Sequence, residues 1–123
     1  MSKCNDKIMI AETTNRRLYK QVTQDGVYLI AERYMGGRCK TYVIYLSYGG
    51  YLHVYASYAC GLETVDYIEI QLSDVAATSV RNAIEIVKTF RDFRKIYNWL
   101  LNAVYCYGEQ GADFCEDEDI DDL

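Results

Sequence analysis

Tyrosines and basic side chains are the residues of this chain whose chemistry is most evident. The sequence holds 13 Tyr and 13 Lys or Arg among 123 residues. Aromatic rings stack on nucleic-acid bases at roughly 1–3 kcal/mol per base, and Lys or Arg side chains bind the phosphates. If the rings and the cations share a surface, that surface would bind a single strand with little regard to its base sequence.

The charges of the chain are divided between a basic body and an acidic tail. Residues 1–108 carry all 13 basic residues and 10 acidic ones, a net charge of +3, whereas residues 109–123 carry eight acidic residues and no basic one. A block of like charges is not buried and is typical of a disordered interaction tail. We therefore predict a single domain over residues 1–108 and a disordered acidic tail over residues 109–123.

Catalytic and metal sites are not indicated by the sequence. His53 is the single histidine, and the five cysteines are widely spaced without a CxxC pair, so a zinc site is not expected. Neither of the glycine-rich nucleotide-binding patterns occurs. We expect a protein that is not an enzyme and has no cofactor. One alternative stays open: Tyr51 and Tyr55 flank His53 on one strand face, which would suit a nuclease built on these side chains.

The hydrophobic pattern predicts a meander of strands followed by helices. Strand-like runs cover residues 17–24, 27–34, 40–48, 51–58 and 64–72, and a further short apolar run at 7–11 is interpreted as an edge strand. Ser73 then starts a helix with an apolar stripe, and a second helical stretch covers about residues 92–106. The predicted fold class is α+β: an antiparallel meander of about five strands followed by one or two C-terminal helices packed on one face.

Two hairpin turns set the predicted strand register. A two-residue turn at Asp25-Gly26 pairs Val22 with Leu29, and one at Gly49-Gly50 pairs Leu46 with His53. These registers direct an aliphatic face toward the helices and gather tyrosines, including Tyr67, on the other face, with four cations on or near the same hairpins. The predicted nucleic-acid-binding residues are Arg17, Tyr19, Tyr28, Arg33, Tyr34, Arg38, Lys40, Tyr42, Tyr48, Tyr51, His53 and Tyr55.

The tyrosines also allow a second interpretation. Cross-strand Tyr pairs stabilise a sheet without any ligand, and Tyr is enriched in protein interfaces. The alternative function is a small viral or archaeal inhibitor or adaptor. Its Tyr-rich sheet face would dock on a protein, while its acidic tail mimics nucleic acid or fills a basic groove.

Two segments resemble parts of known families. The segment 67–74 (YIEIQLSD) passes directly from a strand into a capped helix, and with the meander of residues 17–90 it resembles the Whirly and transcriptional-coactivator group of single-stranded-DNA-binding proteins. That resemblance implies a curved sheet that binds the strand and helices that form a dimer. The ending 116–123 (EDEDIDDL) is similar to the acidic tips of bacterial and phage single-stranded-DNA-binding proteins. This similarity implies recruitment of replication partners through Asp119, Ile120, Asp121, Asp122 and Leu123.

Taken together, the sequence predicts a non-enzymatic, sequence-tolerant protein that binds single-stranded nucleic acid. We expect a homodimer of viral or archaeal origin whose tail regulates binding or recruits a partner. No apolar run approaches the roughly 20 residues needed to cross a bilayer, and the first residues lack the apolar stretch of a signal peptide. The expected location is therefore the cytoplasm, or the host cytoplasm for a viral protein, without membrane contact.

Overall fold

A computed structural model describes residues 6–58 and 63–102 of the chain. Six strands form one antiparallel sheet in chain order, and two helices follow. The predicted α+β meander with C-terminal helices is confirmed. There are six strands rather than about five because the run at 7–11 forms the first strand. The elements are β1 (Asp6–Glu12), β2 (Arg16–Val22), β3 (Gly26–Met35), β4 (Arg38–Ser47), β5 (Tyr51–Tyr58), β6 (Glu63–Gln71), α1 (Asp74–Glu85) and α2 (Phe90–Leu100).

A side-chain hydroxyl caps the N-terminus of each helix. Ser73 accepts a hydrogen bond from the backbone N–H of Ala76 at 3.2 Å. Thr89 accepts one from the N–H of Asp92 at 3.0 Å, and the Asp92 carboxylate accepts one from the N–H of Lys88. These bonds satisfy N–H groups that have no partner within a helix, and each cap contributes about 1 kcal/mol. None of the helices in the described ranges is long and apolar enough to span a membrane.

The hydrophobic core lies between one face of the sheet, called here the helix face, and the two helices. The apolar stripes predicted for the helices are the sides that are buried against it. Tyr97 of α2 is fully buried, and its hydroxyl donates a hydrogen bond to the carbonyl oxygen of Tyr55 at 3.1 Å. The residues of this core include Leu18, Leu29, Ile44, Leu52, Val54, Ile68, Val80, Ile84, Phe93, Tyr97 and Leu100.

The first predicted hairpin register is wrong by two residues. Val22 lies opposite Val27 rather than Leu29, because the two-residue turn is formed by Gln24-Asp25 and not by Asp25-Gly26: the N–H of Thr23 donates a hydrogen bond to the carbonyl oxygen of Gly26 at 2.9 Å. The Thr23 hydroxyl holds this turn by accepting hydrogen bonds from the N–H groups of Asp25 and Gly26 at 3.2 and 3.1 Å. Side chains alternate with a period of two, so an even shift leaves every residue of β2 and β3 on its predicted face.

The second predicted register is wrong by one residue, and this error exchanges faces. Leu46 lies opposite Leu52, and Tyr45 lies opposite His53. The Ser47 hydroxyl accepts a hydrogen bond from the N–H of Tyr51 at 2.9 Å and thereby lengthens the turn. An odd shift moves Tyr45 to the outer face of the sheet. It also moves Tyr42 into the core, where it is only 3% exposed.

A β-bulge in β6 makes a third prediction wrong, the face on which Tyr67 lies. Val54 pairs with Ile68, but Tyr55 pairs with Asp66, so that Tyr67 is the extra residue. Tyr67 was predicted on the outer face, but it packs against the helix-side core with its ring 6.5 Å from that of Tyr97. The extra residue leaves the side chain of Asp66 on the outer face, because a bulge redirects the side chains on one side of it.

Gly26 allows β3 to start tightly against β4. A Cβ at this position would collide with the carbonyl oxygen of Leu46 and lie 2.6 Å from the Cα of Ser47. We expect Gly26→Ala to lower the free energy of unfolding by about 1–3 kcal/mol, because backbone must move to admit the methyl group. Gly49→Ala is the matched control: its nearest neighbour is the Ser47 hydroxyl at 3.9 Å. Urea denaturation that shows equal losses for both variants would contradict this packing argument.

Candidate nucleic-acid interface

The outer face of the sheet, called here the tyrosine face, gathers partly exposed aromatic side chains from β3, β4 and β5. Tyr28 packs against the ring of Tyr45 on the neighbouring strand, with ring centroids 4.5 Å apart. Beneath the exposed rings, Tyr19, Ile30 and Val43 form a second, smaller buried cluster. Of the predicted site residues, the structure places these on the tyrosine face: Arg17, Tyr19, Tyr28, Tyr34, Tyr51, His53 and Tyr55.

Carboxylates lie among these rings. Glu32 accepts hydrogen bonds from the hydroxyls of Tyr19 at 3.1 Å and Tyr34 at 2.6 Å. The imidazole of His53 contacts the carboxylates of Asp66 and Glu69 at 2.9 and 3.2 Å. Negative groups within the aromatic patch repel phosphates, which makes its centre a poor surface for a polyanion.

Cations contact the tyrosine face only at one side of the sheet in the described part of the chain. The Lys7 ammonium lies 4.2 Å from the ring centroid of Tyr19, and the Arg17 guanidinium lies 5.4 Å from that of Tyr34. Arg17 also pairs with Glu12 at 3.3 Å. These cations are therefore already engaged with rings and a carboxylate.

Burial and neighbouring charge perturb the tyrosine hydroxyls. Burial, followed by the charge and hydrogen bond of Glu32, raises the pKa of Tyr19 well above its usual range. The hydrogen bond to Glu32 is the main cause that raises the pKa of Tyr34. Burial is the main cause that raises the pKa of Tyr45 and Tyr55. Each hydroxyl therefore stays protonated in the folded protein at pH values where an ordinary Tyr starts to ionise.

This perturbation predicts a loss of stability in alkali. Above about pH 10 the unfolded chain releases the Tyr19 proton while the folded chain retains it, so stability falls as pH rises. A single such group lowers the free energy of unfolding by up to about 1.4 kcal/mol per pH unit. We expect Tyr19→Phe to lose stability less steeply than the wild type between pH 9 and 11, as measured by urea denaturation. Parallel curves for the two proteins would contradict the perturbed hydroxyl.

The predicted phosphate-binding cations lie together at one end of the sheet, where β3 ends and where β2 and β4 begin. Alternation places Arg33 on the helix face, because Leu29 and Ala31 of the same strand are buried there. Alternation also places Lys40 on the helix face, because Tyr42, two residues further along β4, is buried there. Arg16, which was not predicted, begins β2 on the same face. The basic end consists of Arg16, Arg17, Arg33, Arg38 and Lys40.

Three of these cations form a row across neighbouring strands on the helix face. Arg16 lies opposite Arg33, and Arg33 lies opposite Lys40. Like charges directly opposite each other destabilise a sheet. The Arg16 guanidinium lies 4.4 Å from the ring centroid of Phe90, and the Lys40 ammonium lies 5.7 Å from that of Tyr58. This cation row places charge where stability alone does not favour it.

Arg33, at the centre of the cation row, is half-buried. Its Nε is buried and has no hydrogen-bond partner among the described residues. A buried donor without a partner costs about 1–3 kcal/mol. An anion bound at the row would offset the repulsion between the cations.

One exposed ring lies at the basic end. Tyr34 is 37% exposed near the end of β3, beside the turn formed by Gly36 and Gly37, both of which have positive φ. Arg17 lies over the Tyr34 ring, and the hydroxyl is held by Glu32. Tyr34 lies on the tyrosine face with Arg17, on the other side of the sheet from the cation row, and its ring can stack on a base beside that cation.

Two predicted site residues lie elsewhere. Tyr42 is in the core, as described above. Tyr48 lies in the turn at the opposite end of the sheet, where it is 55% exposed and donates a hydrogen bond to the carbonyl oxygen of Thr23 at 3.2 Å. The tail residues 119–123 lie outside the described residues. Tyr45 was missed because of the register error, and Arg16 could have been found from its place beside Arg17 at the start of a strand.

The structure places Tyr51, His53 and Tyr55 on one face of β5, as the nuclease alternative supposes, and that alternative stays a prediction. The Nε2 of His53 contacts Asp66 and Glu69, and the ring of Tyr55 lies against the imidazole at 4.5 Å. Within the described residues, no tyrosine hydroxyl forms a hydrogen bond with His53. That the protein is not an enzyme stays a prediction.

No protein-family model, curated protein or solved structure matches this chain. The resemblance to the Whirly and coactivator group and the similarity of the ending to acidic tips therefore stay predictions. The function has to be argued from the surfaces described above.

Proposed function

We propose that this protein binds single-stranded nucleic acid without catalysing a reaction, and that its phosphate-binding surface is the basic end rather than the tyrosine face. The observation that carries the proposal is the cation row, in which Arg16, Arg33 and Lys40 lie in direct register on three neighbouring strands. Such a row lowers the stability of the free sheet. It gains a function when the phosphates of a strand lie along it.

The dimensions of the sheet suit this role. Neighbouring strands lie about 4.8 Å apart, so one phosphate can contact two adjacent cations of the row. The guanidinium of Arg33 would donate to a phosphate oxygen through its terminal nitrogens, and charged hydrogen bonds of this kind are roughly twice as strong as neutral ones. Arg38 extends the row toward the β3–β4 hairpin, and Tyr34 supplies a ring for stacking. Backbone contacts and stacking carry no base readout, which supports sequence-tolerant binding.

The carboxylates of the tyrosine face favour a second candidate, in which that face docks on a protein with a basic surface. Tyr45 and Tyr55 would supply apolar contact area, and Glu69 and Asp66 would pair with Lys or Arg of the partner. This is the adaptor or inhibitor interpretation of the sequence. It predicts that substitutions of Tyr45, Tyr55, Asp66 and Glu69 leave nucleic-acid affinity unchanged.

The tail would regulate the basic end. Its eight acidic residues are complementary to the five cations of that end. In this proposal the tail competes with nucleic acid for the cations and is released when a strand binds, and the released residues 119–123 can then recruit a partner protein. A homodimer and a cytoplasmic location remain part of the proposal. The outer groove between α1 and α2, with exposed Ile86 and Trp99, is the apolar surface that a dimer contact would cover.

The location of the site is tested by an NMR titration of the ¹⁵N-labelled protein with oligo(dT). We expect backbone amide shifts to concentrate in residues 13–17 and 32–40, around the basic end. Shifts confined to the outer face of β5 and β6 would overturn the assignment of the site. An unchanged spectrum at low salt would overturn nucleic-acid binding itself.

A further inference from the structure

We propose a divalent transition-metal site on the tyrosine face, formed by His53, Asp66 and Glu69, which binds Zn²⁺ in preference to Mn²⁺ and Mg²⁺. The Nε2 of His53 lies 2.9 Å from an Asp66 oxygen and 3.2 Å from a Glu69 oxygen. One ligand atom from each of the three residues lies within 4.8 Å of the others. The site is separate from the basic end and does not depend on nucleic-acid binding.

The bulge in β6 creates this arrangement. Asp66 and Glu69 are three residues apart, and in a regular strand they would point to opposite faces. Because Tyr67 is the extra residue, Asp66 lies across from Tyr55 and Glu69 lies across from His53, all on the tyrosine face. Bulges of this kind often redirect a side chain at a functional site. The sequence showed no ligand spacing because the convergence depends on the bulge.

The separations fit a metal ion in the centre. With metal–ligand bonds of about 2.0–2.1 Å at tetrahedral angles, neighbouring ligand atoms lie about 3.3 Å apart. In this structure a proton on Nε2 can join the imidazole to the two carboxylates, and a divalent ion would take the place of that proton. The Nε2 lone pair and two carboxylate oxygens would then bind the ion, and their two negative charges would neutralise it.

The surroundings hold the ligands and leave room for the ion. The Tyr55 ring lies 4.5 Å from the imidazole and the Tyr51 ring 6.3 Å from it, which limits rotation of the histidine side chain. The side chain of His53 is 23% exposed, and those of Asp66 and Glu69 are 53% and 52% exposed. No Lys or Arg among the described residues forms an ion pair with either carboxylate. A bound ion would therefore keep at least one position for water or an external ligand.

The mixed ligand set selects among metals. Imidazole suits Zn²⁺ and other transition metals, whereas Mg²⁺ and Ca²⁺ take oxygen ligands. We expect Zn²⁺ to bind more tightly than Mn²⁺, following the general order of affinities, and Mg²⁺ to bind too weakly to compete.

His53 provides a probe that belongs to this site alone, because the chain has a single histidine. The experiment is a ZnCl₂ titration of the full-length protein, followed through the imidazole proton signals in the NMR spectrum. Zinc that binds to cysteines or to the acidic tail does not shift these signals, so the readout separates this site from other zinc binding. We expect the imidazole signals to shift on addition of Zn²⁺ and to be unaffected by equal concentrations of Mg²⁺.

Variants test whether the carboxylates take part. Asp66→Asn combined with Glu69→Gln should raise the Zn²⁺ concentration at which the imidazole signals have shifted half-way at least about tenfold, because two anionic ligands are lost. Glu32→Gln is the control, since that acid lies on the same face but bonds to Tyr19 and Tyr34. It should leave the titration unchanged. Imidazole signals that do not respond to Zn²⁺, or that respond with equal affinity in the double variant, would overturn the site.

Discussion

Replacing Arg33 and Lys40 together by Met is expected to weaken the binding of oligo(dT) about 30-fold at low salt. Each side chain would lose one phosphate contact worth about 1 kcal/mol, and about 2 kcal/mol corresponds to that factor. The dependence of the logarithm of affinity on the logarithm of salt concentration should become shallower by about 1.4, since each single-strand phosphate contact contributes about 0.7. Fluorescence anisotropy over a series of salt concentrations measures both quantities.

The same substitutions should not destabilise the protein. Met retains the apolar stem of each side chain while it removes the repulsion between Arg33 and its neighbours in the cation row, together with the buried Nε that has no partner. We expect the free energy of unfolding to stay equal or to rise by about 0.5–1 kcal/mol. A gain of stability with a loss of binding is the result expected where charge is kept for function.

A matched variant controls for the change in net charge. Arg81→Ala combined with Lys95→Ala removes two cations from the helices, away from the basic end, and should change oligo(dT) affinity less than about threefold by long-range attraction alone. Equal losses in both double variants would show that net charge matters and the position of the cations does not. The proposed phosphate contacts would then be wrong.

Deleting residues 109–123 is expected to tighten oligo(dT) binding about tenfold at low salt. A segment of the same chain that binds a surface of its own body acts at an effective concentration of about 1 mM. Weak ionic binding with a dissociation constant of about 0.1 mM would then occupy the basic end most of the time. The measurement is anisotropy for both proteins at about 50 mM and about 300 mM salt, and the difference should shrink at the higher concentration because salt screens the tail.

A charge-neutral tail separates the effect of charge from that of length. Replacing the eight tail acids by Asn and Gln should tighten binding as much as the deletion does. Binding that is tighter for the deletion alone would mean that the tail obstructs the site by its bulk. A deletion that weakens binding would contradict regulation by the tail and would favour a direct contribution of the tail to the complex.

The fold could be predicted from the sequence because alternation and helical periodicity are strong and local signals. The helix stripes around Val80 and Phe93 identified the sides that are buried, and the strand runs identified the meander. The β2–β3 faces were predicted correctly despite a register error, because that error was an even number of residues.

The candidate site could be predicted only in part, because faces depend on single residues in turns. One extra residue in the β4–β5 turn moved Tyr45 outward and Tyr42 into the core. The bulge at Tyr67 brought Asp66 beside His53. Neither change has a signal in composition or spacing, since both are decided by hydrogen bonds of the turn and by packing against the helices. The prediction that Arg33, Arg38 and Lys40 share one end of the sheet was not affected by these errors. The end of a strand at which a residue lies does not depend on the face to which its side chain points.

The most direct test of nucleic-acid binding is fluorescence anisotropy of a labelled oligo(dT) with protein that lacks residues 109–123, at increasing salt. If four cations of the basic end contact phosphates, we expect binding at low salt, with a slope of about −3 for the logarithm of affinity against the logarithm of salt concentration. No binding at about 50 mM salt, or binding whose affinity does not change with salt, would contradict this expectation.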